Sequence, residues 1–245
     1  MSSFWTENFK VRSYEVDFRK QATIETLCRY FQEAAWNHAE ALGVGYQRLL
    51  QENKIWVLSR LLIEMESSPV WGETVQIVTW PRAAKSVFAM RDFEILNASG
   101  VRFLAGTSAW LVIDTRSRKP QRVDRLTATI QAVQDRRAIM EEPEKIPELA
   151  SDTVSTQQIT VRYTDIDVNR HVNNARYLGW LMDSYSFEFH EQHSLRRLEI
   201  NYLGEAQPGQ SITISTMQVC PGEILHLMNN AQTQAPLCRA RLQWK

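Results

Sequence analysis

The heptapeptide VRSYEVD at 11–17 returns as VRYTDID at 161–167, and GETVQIVT at 72–79 returns as GQSITIST at 209–216. The two echoes keep the same order, so the chain reads as an internal duplication. That constrains the fold strongly, because whatever unit the first half builds, the second half builds again. In the first copy a strand is expected over 9–17. A helix then starts at Thr23, its N-cap, with Ile24, Leu27, Cys28, Phe31, Ala35, His38 and Leu42 at helical spacing and Gly43 as its stop. Four β-rich stretches follow, at about 54–66, 70–81, 85–97 and 101–114, with turn signals at Pro69, Pro81 and ASG near Asn97. In the second copy a strand at 157–163 precedes a helix over 174–191, whose apolar face is Leu178, Leu181, Met182, Tyr185 and Phe189. Strands are expected again at 195–204, 210–219, 223–231 and 236–244.

One long helix followed by an antiparallel meander suits an α+β unit in which the sheet curls around a central helix. Two such units in tandem are expected, over 1–140 and 157–245. Between them EEPEKIPELASDTVST, 141–156, reads as a linker from its proline, acid and small polar residues.

The 28 basic and 28 acidic residues cancel, which removes the simplest argument for a nucleic-acid or anionic-membrane partner. No run approaches the roughly 18 apolar residues of a membrane span. MSSFWTENFK is not a signal peptide, and strand-like sequence begins too early for a transit peptide. Cys28, Cys220 and Cys238 have no metal-ligand spacing and leave one over from any pairing. A reducing, cytoplasmic setting is expected, with no metal or cofactor.

Polar chemistry concentrates in DIDVNRHVNNARYLGW, 165–180. Asp165, Asp167 and Asn169 match the opening of a calcium loop. That loop then needs glycine and a bidentate glutamate where this chain has Arg170 and Arg176, so calcium is rejected. Asn173 or Asn174 can cap the following helix, but capping leaves Asn169 and His171 unexplained. On the shared VR, Asp167 falls on Asp17, Asn169 on Arg19 and His171 on Gln21. A junction needed only for folding would be the same in both halves. The change to Asn and His in one half points to chemistry there.

The stretch DxDVNRHVNNARYLGWLMDS resembles the signature of the acyl-acyl-carrier-protein thioesterases, the plant plastid type and their bacterial relatives. FKVRSYEVDFRKQATIETLCRYFQEAAWNH, KIWVLSR and PVWGETVQIVTW resemble the same family at matching positions and in order. The resemblance implies a double hotdog fold and hydrolysis of fatty acyl thioesters of acyl carrier protein, which terminates fatty acid synthesis. It implies catalytic roles for Asp167, Asn169 and His171, together with Glu205 in INYLGEA. The next family position is often cysteine, and here it is Ala206, which argues against a thiol nucleophile. Without a plastid-targeting extension, a bacterial-type member is expected.

For such a reaction Asp167 or Glu205 activates water, or Asp167 attacks directly, and His171 serves as general acid–base. Asn169 orients the imidazole or the water. Backbone N–H groups near Asn173 and Asn174 contribute to an oxyanion hole. By family analogy the N-terminal half sets chain length, with Phe31, Trp36 and Trp56 as expected acyl-binding residues. His38 is expected to be a core histidine; His190, His193 and His226 are read as surface or packing residues. The basic run RSRKPQRVDR, 116–125, is read either as a solvated turn or as a docking patch for the acidic carrier protein. The alternatives are an acyl-CoA thioesterase, a catalytically silent acyl-binding protein and a hotdog dehydratase. A homodimer is a further expectation.

Overall fold

The computed structural model describes residues 3–123, 130–148 and 155–245. It divides into two compact units, Met1–Pro143 and Glu144–Lys245.

In the first unit β1 (Trp5–Lys10) leads through a 3-10 turn, Ser13–Glu15, to α1 (Ile24–Ala41) and the short α2 (Tyr46–Gln51). The strands β2 (Lys54–Met65), β3 (Thr74–Pro81), β4 (Ala89–Leu96), β5 (Arg102–Asp114) and β6 (Pro120–Gln121) follow. They pair antiparallel in the order β1-β3-β4-β5-β2, with β6 on β5. The second unit holds β7 (Ser155–Thr160), a 3-10 turn Tyr163–Asp165, α3 (Asn174–Met182) and α4 (Phe187–Gln192). These are followed by β8 (Leu195–Tyr202), β9 (Ser211–Cys220), β10 (Glu223–Asn230) and β11 (Pro236–Trp244). Its order is β8-β11-β10-β9-β7, the same connectivity as the first unit. This is the α+β hotdog plan, built twice.

The two longer helices, α1 and α3, each bury an apolar face. Thr23 caps α1 by accepting the Thr26 N–H, and Leu27, Phe31 and Ala34 are buried. The Phe31 ring stacks on Phe93 of β4 at 4.4 Å between centroids. It also lies so close to Gly106 of β5 that an added Cβ there would sit 2.7 Å from it, so glycine makes the helix–sheet contact feasible. On the other face of the first sheet, Ala138 and Ile139 pack on Leu62, Val78, Trp80 and Ala105.

Three sequence expectations need correction. The strand at 9–17 is β1 plus a 3-10 turn, because the Glu15 carboxylate accepts the Arg12 N–H at 2.8 Å and bends the chain. The strand at 157–163 ends likewise, where Asp165 accepts the Arg162 N–H at 2.7 Å. The helix over 174–191 is two helices. Ser184 donates to the Leu181 carbonyl at 2.6 Å and Ser186 caps α4 by accepting the Phe189 N–H, so local side-chain bonds replace the helix ladder between them.

Within the stretch read as a linker, residues 144–148 lie on the second unit's own sheet. The Ile146 N–H donates to Asn201 Oδ1 at 2.8 Å, and Arg239 donates to the Ile146 carbonyl at 3.1 Å. Residues 149–154 of that stretch lie outside the described residues.

His38 is buried, as expected of a core histidine, and receives a hydrogen bond from Arg91 at 3.1 Å. His226 is also buried, 1% exposed, with partners that the sequence does not reveal. Trp244 Nε1 donates to the Tyr185 hydroxyl, which leaves the Tyr185 proton for His226 Nε2 at 2.7 Å. His226 Nδ1–H then donates to Thr216 Oγ1 at 3.1 Å, a fully bonded neutral imidazole. Burial lowers its pKa to about 4. Between the ordinary histidine value of 6.5 and about 4, the unfolded chain therefore binds a proton that the folded chain rejects. Stability is expected to fall by on the order of 3 kcal/mol as pH drops across that window, at about 1.4 kcal/mol per unit. His226→Gln should flatten that slope in urea unfolding measured at pH 7 and pH 4.5; an unchanged slope would contradict the assignment.

Candidate active site

The two carboxylates of DID do different work. Asp165 is 3% exposed. Its oxygens accept the Arg162 N–H and Arg176 Nε at 2.8 Å, and its carbonyl accepts the Asn173 N–H. It is a structural anchor, matched in the first unit by Glu15, which accepts the Arg12 N–H and the Tyr30 hydroxyl.

Asp167 opens a tight turn. Ile166 and Val172 form an antiparallel bridge, and the Asp167 N–H donates to the His171 carbonyl at 2.9 Å. Its Oδ1 accepts the Asn169 N–H at 2.8 Å, and the Arg170 N–H donates to the Asp167 carbonyl. Asp17 builds the same turn, accepting the Arg19 and Gln21 N–H groups. The turn is thus common to both units, while the side chains it presents are not.

His171 and Glu205 are brought together. Nε2 of the imidazole lies 3.6 Å from Glu205 Oε2, with the two side chains 31% and 30% exposed. Three bonds join the segments that carry the pair. Val172 N–H donates to the Ala206 carbonyl at 3.3 Å, Ala206 N–H donates to the Tyr177 hydroxyl at 3.1 Å, and the Tyr202 hydroxyl donates to the Asn174 carbonyl at 3.0 Å. Tyr177 is 2% exposed, and burial pushes its phenol up, so it stays protonated near neutrality. Tyr177 and Tyr202, which tie the loop after β8 to α3, are residues that sequence reasoning missed. Tyr177 lies on the apolar face of α3 and reads as core, and Tyr202 entered only as part of a motif. Asn169 is exposed at the turn tip.

At the start of α3, Asn173 is the N-cap and its Oδ1 accepts the Ala175 N–H. The Asn173 N–H is committed to Asp165 and the Arg176 N–H to the Asn173 carbonyl. The Asn174 N–H has no acceptor among the described residues. Of the two expected oxyanion donors, Asn174 is therefore the one with its backbone donor available.

Ala206 is fully buried, with both backbone groups bonded. Cys28 and Cys238 are buried thiols whose pKa values burial raises, and Cys220 is exposed. No cluster of metal-ligating side chains occurs among the described residues. No helix among them is long and apolar enough to cross a membrane.

The three expected acyl-binding residues belong to the first unit. Phe31 is buried between α1 and the sheet. Trp36 is 42% exposed and stacks on Tyr46, and Trp56 donates to the Val44 carbonyl while packing beside Leu49 and Val112. The basic run at 116–125 enters the β5–β6 turn, where Asp114 accepts the Arg116 and Ser117 N–H groups; Asp124 and Arg125 lie outside the described residues.

Comparison with known proteins decides the family. The acyl-ACP thioesterase N-terminal domain model matches residues 2–129, and the C-terminal domain model matches 149–245. The chain belongs to the acyl-ACP thioesterase family. It is 30% identical over 213 residues to a chloroplastic palmitoyl-acyl carrier protein thioesterase of Gossypium hirsutum, covering 82% of this chain and 52% of that protein. It is 30% identical over 280 residues to oleoyl-acyl carrier protein thioesterase 2 of Arabidopsis thaliana, chloroplastic, covering 98% and 76%. The chain thus spans about half the length of the first of these relatives. The crystal structure of an acyl-ACP thioesterase from Bacteroides thetaiotaomicron superimposes with a TM-score of 0.89 at 27% identity, covering 100% of both chains. That likeness agrees with the double hotdog fold.

Replacing Tyr177 by Phe leaves the buried Ala206 N–H without an acceptor. The expected cost is about 1–3 kcal/mol in unfolding free energy, with a larger loss in kcat than in KM as Glu205 drifts from His171. Equal stability and kcat would show that the phenol does not position the loop.

Proposed function

We propose that the chain hydrolyses fatty acyl thioesters of acyl carrier protein, releasing the free acid and the carrier thiol. The observation that carries the reading is the His171–Glu205 pair, 3.6 Å apart and each about one-third exposed, with His171 just before the start of α3. The family match and the relatives' names support the substrate class.

Glu205 takes a proton from water, and the resulting hydroxide attacks the thioester carbonyl. The oxyanion is met by the Asn174 N–H, helped by the positive end of α3 and by the Asn169 amide. Glu205 passes the proton taken from water to His171 across the pair. As the tetrahedral intermediate collapses, the C–S bond breaks and His171 delivers that proton to the departing sulfur, which leaves both groups as they began. Asp167 closes the turn that holds Asn169 and His171 in place, the same work that Asp17 does in the first unit. Chemistry is assigned to the second unit and, by the family resemblance, choice of acyl chain to the first. The free thiols support a reducing, cytoplasmic setting.

His171→Ala and Glu205→Gln are each expected to lower single-turnover hydrolysis of acyl carrier protein thioesters by about 10²–10⁴, with unfolding midpoints near wild type. A folded His171→Ala protein with undiminished single-turnover hydrolysis would contradict the assignment.

A further inference from the structure

An open groove of about 540 Å³ runs along the outside of the catalytic turn. Val161, Ile166 and Pro208 give it apolar walls, and Tyr163, Asp167 and Arg170 line it with polar groups. His171 and Glu205 are not part of its wall, so the reacting carbonyl does not sit in it. Asp167, in its wall, donates its N–H to the His171 carbonyl at 2.9 Å, so the groove and the imidazole are built on one turn.

Arg170 stands out at this groove. Its φ is +63°, a left-handed conformation that Gly or Asn adopts far more readily than an ordinary side chain. It is exposed and makes no ion pair among the described residues. Lys20 occupies the matching turn position in the first unit at φ +61°. Tyr163, beside it, is 93% exposed, and Val168 at the turn tip is 86% exposed. A cation, an exposed aromatic ring and a half-open apolar trough adjoin the site where a thioester is cleaved.

We propose that this groove seats the phosphopantetheine arm of the substrate's carrier, with Arg170 meeting the phosphodiester at the arm's far end. The inference rests on the thioesterase reading. The arm is a thin chain with two amides and apolar segments, which suits an open trough better than a closed pocket. Its one fixed charge is the phosphate, and an arginine fork matches phosphate oxygens with two parallel N–H bonds. Acyl carrier protein and coenzyme A share this arm, and pantetheine alone lacks the phosphate.

The test compares kcat/KM for one acyl chain carried on acyl carrier protein, on coenzyme A and on pantetheine. The wild-type chain is measured beside Arg170→Asn, Arg170→Lys and Lys20→Asn. Asn suits the left-handed turn, so Arg170→Asn should melt at or above wild type while losing the cation. The ratio of carrier-protein to pantetheine activity should fall about tenfold in Arg170→Asn, the effect of one charge-assisted hydrogen bond. The coenzyme A to pantetheine ratio should fall with it, Arg170→Lys should keep most of both, and Lys20→Asn should change neither. Unchanged ratios would overturn the proposal. So would a loss confined to the carrier protein, which places the cation against the protein surface instead of the arm. A marked fall in melting temperature would assign Arg170 to the fold and overturn it equally. A wild-type chain that hydrolyses none of the three removes the thioesterase reading, and the groove's role with it. A wild-type chain that hydrolyses all three with ratios untouched by Arg170→Asn removes the groove's role alone.

Discussion

The buried carboxylate of Asp165 fixes everything around the candidate site. It gathers the Arg162 N–H and the Arg176 side chain, while its own carbonyl takes the Asn173 N–H. One residue, through its carboxylate and its backbone carbonyl, thereby sets where β7 ends, where the turn begins and where α3 starts. Removing one partner of such a buried pair strands the other, a loss of roughly 3–5 kcal/mol. The catalytic turn hangs between two ends of this frame, so its shape follows from Asp165 before any catalytic group is considered.

Duplication makes that separation visible. The first unit keeps the frame, with Glu15 in place of Asp165, and keeps the turn, with Asp17 in place of Asp167. It also keeps a cation in the left-handed position. What differs is the cargo: Arg19 and Gln21 where the second unit has Asn169 and His171. A turn already stable for folding reasons can exchange its outward side chains at little energetic cost. In the proposed reaction a carboxylate stands opposite the imidazole, and Tyr177 and the Val172–Ala206 bond hold the loop after β8 that carries Glu205.

Most strands and the starts of α1 and α3 were legible because they leave periodic or capping signals, Thr23 and Asn173 as caps, whereas the short α2 and the start of α4 were not read. The 3-10 turns were not, since a single side chain bonding to the backbone three residues earlier leaves no period. The break between α3 and α4 was hidden for the same reason, as Ser184 and Ser186 act locally inside an apolar pattern that otherwise continues. In the site, His171 and Asn169 stood out by contrast with the first copy. Glu205 came only through family resemblance, because nothing local marks a glutamate whose partner lies 34 residues earlier (205 − 171). Partners of that kind, Tyr177 to Ala206 among them, are set by packing that no short window of sequence contains.

The central claim is that His171 and Glu205 work as one unit on a turn inherited from the fold. A double-mutant cycle in single-turnover hydrolysis tests it most directly, with His171→Ala, Glu205→Gln and both together on one acyl carrier protein thioester. Groups that act as a unit are non-additive, so the double variant should be no slower than the slower single variant within about threefold. Losses that multiply, each variant slowing the reaction by its full factor in the other's background, would show two independent residues and contradict the account.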